Sequence, residues 1–311
     1  VEPFLFFMRT VSHICAPVFV FLSGVSVYLY YQKHQEDKCA LSRFLFSRGV
    51  FLICLELTVI NFAWSGQIPP NLFYFQVIWV IGTSMALMGL LIWLPMPVIA
   101  GLGLVIVAGY DTLTFIRVEP ESPWYIPWAL LHQRSVVELT ETIRFRTSYP
   151  LLPWIGIMAL GYVFGRFYYH EFKMIRRRGV TLYAGIGMLL LFLILRTANI
   201  YGDPVPWQVM ETHLRTAMSF LNLTKYPASL LFVLLTLGVG AVFLWVFERN
   251  EIQNPVWIRA LGCSGPGGRG AERRRIASHR RSGVTRGEWS GVTRGKKCLN
   301  RCQRHLVASR H

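Results

Sequence analysis

Seven stretches of the chain are apolar over nearly the 20 residues that a helix needs to cross a bilayer. They fall at 13–31, 44–63, 73–94, 97–115, 151–168, 180–197 and 226–247. A segment in hydrocarbon finds no water to satisfy its backbone, so it must close its own hydrogen bonds as a helix or join a closed barrel. Barrel strands would show about ten alternating residues each, and no such alternation is present. The expected fold class is therefore all-α: a polytopic transmembrane helical bundle of about seven spans, with the lipid bilayer as its partner. Composition agrees, since 53% hydrophobic and 15% charged residues with a mean hydropathy of +0.40 exclude a soluble domain of this length.

The net charge of +16 invites a nucleic-acid partner, but its distribution argues against one. Residues 264–311 hold thirteen Lys and Arg against two acids, so +11 of the excess lies in a short tail and +5 remains elsewhere. Hydrophobic periodicity stops after Leu261, and the hexapeptide SGVTRG occurs at 282–287 and again at 290–295. Two units are expected: 1–262, a membrane domain, and 263–311, a basic tail unable to bury a core. The tail reads either as a polybasic lipid- or nucleic-acid-binding arm or as an altered reading frame that replaces the native C-terminus. A start at Val1 without a leading basic region points to a piece truncated at its N-terminus. Six cysteines without a C-x-x-C pair give neither a metal site nor a disulfide framework.

Lys and Arg in short loops set orientation. Lys33, Lys38 and Arg43 follow the first span, and Arg166, Lys173, Arg176, Arg177 and Arg178 follow the fifth, so both loops belong inside. The uncharged loop 64–72 and the Pro- and Trp-bearing segments 116–150 and 198–225 then lie outside.

Ionisable groups within apolar runs are rare, and they mark either a site or a polar contact between helices. His13, in SHICAPVFVFLSG, is a proton-transfer candidate or an interfacial hydrogen-bonding histidine. Glu56 lies deep in its span, eight residues from Arg48 on nearly the same helix face. Asn61 and Gln76 continue the polar series outward. Pro150 and Pro153 bracket a helix start beside Trp154, and Gly156, Gly161 and Gly165 offer close packing. Arg196 and Asn199 end the sixth span, where Arg196 either snorkels to headgroups or fixes an anionic group. Lys225 and Tyr226 stand at the outer mouth of the seventh, on the side where positive-inside bias asks for no lysine.

Several of these strings together, SHICAPVFVFLSGVSVYLY, LSRFLFSRGVFLICLELTVINF, QVIWVIGTSM, YPLLPWIGIMALGYVFGRFY, NIYGDPVPW and SFLNLTKYPASLLFVLLTLG, resemble one family. It is the bacterial membrane family related to the catalytic domain of heparan-α-glucosaminide N-acetyltransferase, and the likeness runs over roughly residues 4–260. Two departures stand out. The family opens with a further helix bearing an Asp-His pair, and it closes with additional apolar helices. Its catalytic histidine would fall near Pro3 and is unmatched, so His13 does not inherit that role.

The resemblance implies transfer of an acetyl or acyl group from a cytoplasmic acyl-CoA, with acetyl-CoA as co-substrate and no metal, to a glycan or amino-sugar acceptor across a bacterial inner membrane. Such chemistry needs a base, oxyanion donors and phosphate-binding groups. His13 is the visible base candidate and Glu56 its orienter. Asn61, Gln76, Trp154, Arg196, Asn199, Lys225 and Tyr226 are candidate acceptor-side contacts, and Arg176, Arg177 and Arg178 are candidates for the donor's phosphates. Two alternatives remain: a membrane transporter or export protein using Glu56, Arg196 and Lys225 as a polar pathway, and an inactive fragment of the acyltransferase.

Overall fold

The structure is a computed structural model that describes residues 2–34, 37–67, 70–138, 144–168 and 174–253. All but the last few of these belong to one compact unit, Val1–Asn250. The basic tail expected from residue 263 lies outside the described residues.

The first apolar run, expected at 13–31, forms α2 (Cys15–Lys33), and a further helix not expected from it, α1 (Pro3–His13), precedes it, the two following one another as a 31-residue apolar rod. Pro17 accounts for the break. It has no N–H to offer the carbonyl four residues back, which is that of His13, and its ring crowds that carbonyl. The S-H-x-x-x-P spacing thus puts His13 at the joint of the rod. Helix α3 (Lys38–Leu55) starts where the Asp37 carboxylate accepts from Cys39 N at 2.9 Å and Ala40 N at 3.0 Å. It runs through a π-helical turn, Glu56–Ile60, into α4 (Asn61–Ser65), which ends at Gly66 with φ +66°.

Strand β1 (Leu72–Phe75) precedes α5 (Val77–Leu91), and α6 (Met96–Gly109) continues as a 3-10 turn through Phe115. Next come α7 (Tyr125–Leu131), β2 (Val136–Glu138), β3 (Arg144–Thr147) and α8 (Leu152–Gly165). The chain closes through α9 (Met174–Ala198), α10 (His213–Leu221) and α11 (Leu230–Gln253). β1 pairs parallel to β3, which pairs antiparallel to β2, so residues separated by a whole span and its loop share one small sheet.

The all-α bundle is observed, with that three-stranded sheet as its exception. The span count differs. Among the described residues five helices are long and apolar enough to cross a membrane: Pro3–Lys33, Lys38–Ser65, Met96–Phe115, Arg176–Ala198 and Leu230–Arg249. The run expected at 73–94 opens as a strand and leaves a helix of only 15 residues, and the run at 151–168 gives one of 14. Apolar length alone does not distinguish a lipid-facing span from a helix enclosed by protein. Helix α8 is the enclosed kind, since Trp154, Ile157, Met158 and Ala159 have no exposed surface.

Glycines let α8 sit there. A Cβ on Gly156 would lie 2.9 Å from Val107 of α6, and one on Gly165 would lie 2.6 Å from the Tyr28 Cβ of α2. Helices α3 and α5 cross just as closely, Gly82 against the Gly49 carbonyl, and the Ser42 hydroxyl donates to Gly89 O at 2.7 Å. Small residues of this kind let backbones approach where apolar burial gives no net drive between helices in lipid. The outward faces carry Phe19, Phe46, Phe51, Leu104, Val105, Ile194 and Phe247, all exposed. The chain is an integral membrane protein.

Candidate functional site

The π-helical turn positions the first group of polar residues. Glu56 is fully buried, and its carboxylate accepts from Gln76 N at 3.2 Å and from Trp79 N at 3.3 Å, with Ile78 N also bonded to it. It therefore caps α5 from a neighbouring helix, supplying the acceptors that helical amides lack in the first turn and opposing the positive end of the dipole. Asn61 is equally buried. Its Oδ1 accepts from Tyr74 N at 2.6 Å, while Nδ2 donates to Tyr74 O at 3.2 Å and to Glu56 O at 2.7 Å. The side chain thus mimics a strand partner for β1. Gln76 is the residue that precedes α5, held through its own N–H. Glu56, Asn61 and Gln76 are brought together, and no hydrogen bond joins Glu56 to His13.

A second group meets at the same end of the bundle. The Tyr149 and Tyr226 hydroxyls lie 3.0 Å apart with their rings in edge contact, and the buried Trp154 ring stands 5.4 Å from that of Tyr149. Burial, then the hydrogen bond to Tyr226, pushes the Tyr149 phenol well above its ordinary range. The Tyr226 ring is faced by two cations, Arg134 at 5.3 Å and Lys225 at 5.1 Å. The Trp154 indole N–H is buried and has no acceptor among the described residues. Next to this group His13 packs edge-on to Phe232 at 5.9 Å, with Lys225 and Arg9 as its charged neighbours. His13 also borders a cavity of about 600 Å³ between α1 and α10.

A third group ties the outer loops down. Arg196 is buried, and its guanidinium donates to four carbonyls: Phe220 at 2.9 Å, Val205 at 3.0 Å, Ser219 at 3.1 Å and Asn222 at 3.1 Å. It closes the C-terminal end of α10, where helical carbonyls lack partners. Asn199, at φ +57°, ends α9 and pairs with the backbone N–H and C=O of Trp207 at 3.1 and 3.2 Å. Asp203 accepts from Val205 N, from the Thr224 backbone and hydroxyl, and from the Ser229 hydroxyl, all within 2.9 Å. Asp111 caps the start of α11 by accepting from Leu230 N at 2.9 Å.

Comparison with known families decides the relationship. The family model described as heparan-alpha-glucosaminide N-acetyltransferase, catalytic, matches residues 2–201. The chain belongs to that family. No curated protein and no solved structure matches the chain. The match takes in His13, Glu56, Asn61, Gln76, Tyr149, Trp154, Arg196 and Asn199, and it stops before α10, Lys225 and Tyr226.

At the opposite end of this heparan-alpha-glucosaminide N-acetyltransferase-family bundle lie the arginines expected to meet a donor's phosphates. Arg177 Nε stands 3.5 Å from the Glu248 carboxylate and its guanidinium lies over the Tyr168 ring at 4.6 Å. Arg178 donates to the Glu248 carbonyl, and the Tyr168 hydroxyl donates to the Glu248 carboxylate at 2.7 Å. Arg176 also has a partner in the structure. Arg177 and Arg178 as arranged are turned toward Glu248 of α11.

Sequence reading named neither Tyr149, Asp203 and Asp111 nor Arg9 and Arg134. Asp203 carried a signal, the Asp-Pro turn in YGDPVPW. Tyrosine near a helix start is unremarkable, so Tyr149 carried none. His132, which follows α7, is buried between Tyr110 and Trp128, stacked on them at 4.4 and 4.9 Å.

Proposed function

We propose that this chain is a membrane acyltransferase that passes an acetyl or acyl group from a cytoplasmic acyl-CoA to a glycan or amino-sugar acceptor outside a bacterial inner membrane. Family membership supports the reaction class. The observation that carries the site is the meeting, at one end of the bundle, of His13, Lys225 and the Tyr149, Tyr226 and Trp154 cluster. In an acyl transfer to an amine, nitrogen attacks the acyl carbon, the thiolate leaves and the amine must shed a proton. His13, which makes no hydrogen bond among the described residues, is the group positioned to take it. Donors aimed at the developing oxyanion lower the barrier most when they need no reorganisation. The Tyr226 hydroxyl is such a donor, and Lys225 adds charge beside it.

Glu56, Asn61, Arg196 and Asn199 serve this site indirectly, by fixing α5, β1, α9 and α10. The test is radiolabelled acetyl-CoA offered to inverted membrane vesicles with a glucosamine-terminated oligosaccharide inside. Label on the oligosaccharide that His13→Ala abolishes supports the reading. Label that crosses as intact acetyl-CoA, or transfer unchanged by His13→Ala, refutes it.

A further inference from the structure

The cavity beside His13 is built from two helix faces. On α1, Phe6, Arg9, Thr10 and His13 follow the i, i+3, i+4, i+7 spacing of one helix face; on α10, Arg215, Met218 and Ser219 share a face, with Asn222 just past its end. Each face therefore contributes one arginine to a shared space of about 600 Å³, a volume ordinary for a small-molecule site. No acid lines it among the described residues. Among the described residues Arg9 has no carboxylate partner, and Arg215 meets only Glu211, at 3.4 Å through two largely exposed side chains. An exposed pair of that kind is weak and readily exchanged. The Asn222 side chain also makes no hydrogen bond among the described residues. Apolar lining completes the space, with Met210, Leu221 and Leu223 joining Phe6 and Met218.

Depth selects the ligand. From Lys33 to Arg9 the rod spans 24 residues, about 36 Å at 1.5 Å per residue, against a hydrocarbon core of about 30 Å. With Lys33 at one headgroup level, Arg9 reaches the other, and Arg215 faces it. The α1 residues turned away from the cavity, among them Leu5, Met8 and Val11, are exposed and apolar, so this flank opens onto lipid.

We infer that the cavity between α1 and α10 binds the phosphate headgroup of a membrane amphiphile, held by Arg9, Arg215 and the Asn222 amide with its first chain carbons against Phe6, Met218 and Leu221. Two arginines from separate helices suit the fork geometry of phosphate oxygens, and the apolar wall explains why a soluble anion alone would leave much of the space unfilled. The inference concerns binding and stands whether or not the chain transfers acyl groups.

The experiment uses the full purified chain in neutral detergent, titrated with dioleoyl phosphatidic acid, with dioleoyl phosphatidylcholine, and with inorganic phosphate as competitor. Expected is saturable one-to-one binding of phosphatidic acid that the choline lipid does not match and millimolar phosphate does not displace. Arg9→Gln and Arg215→Gln should each weaken it about tenfold, Arg215→Lys should restore part of the loss, and Met218→Trp, which fills the apolar half and leaves both charges, should weaken it as well. Matching melting curves establish that each variant is folded. Equal binding of the choline lipid, or unchanged binding by the doubly substituted Arg9→Gln, Arg215→Gln chain, overturns the inference. Displacement by inorganic phosphate overturns the lipid source and makes this a site for soluble anions.

Discussion

Replacing Glu56 separates a structural carboxylate from a catalytic one. Its two oxygens receive the amides that open α5, Gln76 N just before the helix at 3.2 Å and Trp79 N in its first turn at 3.3 Å, and the Glu56 side chain is fully buried. Removing an exposed helix cap costs about 0.5–2 kcal/mol. Here the carboxylate is fully buried, so the desolvation of donors left orphaned, about 1–3 kcal/mol, adds to it. Glu56→Ala should therefore cost about 3 kcal/mol. For a unit of this size that lowers the melting temperature by about 6–12 °C. Glu56→Gln keeps one carbonyl oxygen but turns an NH₂ group toward a backbone N–H, so it should cost about half as much. The assay is thermal melting of detergent-purified protein followed by size-exclusion chromatography, run beside acetyl transfer at a temperature where all variants are folded. Capping predicts loss of stability in the order Ala then Gln, with transfer surviving in Glu56→Gln. If Glu56→Gln melts like the parent and transfers nothing, the carboxylate works in the reaction and the capping account fails.

Arg196→Lys should cost about 2 kcal/mol, because one ammonium cannot reach the four carbonyls of Phe220, Val205, Ser219 and Asn222; proteolysis of the 199–225 segment reports it, and an unchanged cleavage rate would refute it. Gly165→Ala places a methyl 2.6 Å from the Tyr28 Cβ, so it should destabilise by about 1–3 kcal/mol, read as a lower melting temperature. Burial holds the His132 imidazole below its ordinary 6.5, so the unfolded chain takes up that proton first. The resulting stability is complete above pH 6.5 and is lost as pH falls below it, which melts between about pH 7.5 and 5 should show and His132→Gln should flatten. Lys225→Ala should impair transfer more than membrane insertion, measured as activity at equal expression; equal activity would return Lys225 to an interfacial anchor.

The bundle was legible because its signals are local: apolar length, proline at helix starts, and glycine at crossings. The joint at His13 has an equally local cause in Pro17, four residues on, yet the expectation of one span over 13–31 did not include it or α1. The sheet was not legible, for Leu72–Phe75 only continues an apolar run and finds Arg144–Thr147 across α5, α6 and α7. Nor was the enclosure of α8, which depends on Gly24, Gly103 and Tyr28 from other helices. The candidate site was half legible for a related reason. A charged or amide group in an apolar run is conspicuous, so Glu56, Asn61, Arg196 and Asn199 stood out. What they bind does not show, because the α5 amides, the β1 backbone and the α10 carbonyls meet them only in the folded chain.

That difference sorts the candidates by remaining capacity. Both Glu56 oxygens receive backbone amides, the Asn61 amide is bonded at both ends, and Arg196 gives four of its five donors to carbonyls. A group so engaged holds geometry, and exchanging a partner during turnover would orphan a buried backbone atom each time. The His13 and Lys225 side chains carry no hydrogen bond among the described residues, and the Tyr226 hydroxyl shares only that of Tyr149. These can accept a new partner without breaking an old one. Burial marks where the chain spends polar groups, and unfilled hydrogen-bonding capacity marks which of them remain for a substrate. On that ground His13, Lys225 and Tyr226 are the residues we propose for the substrate, with Glu56 and Arg196 as the framework that holds the surrounding elements in place.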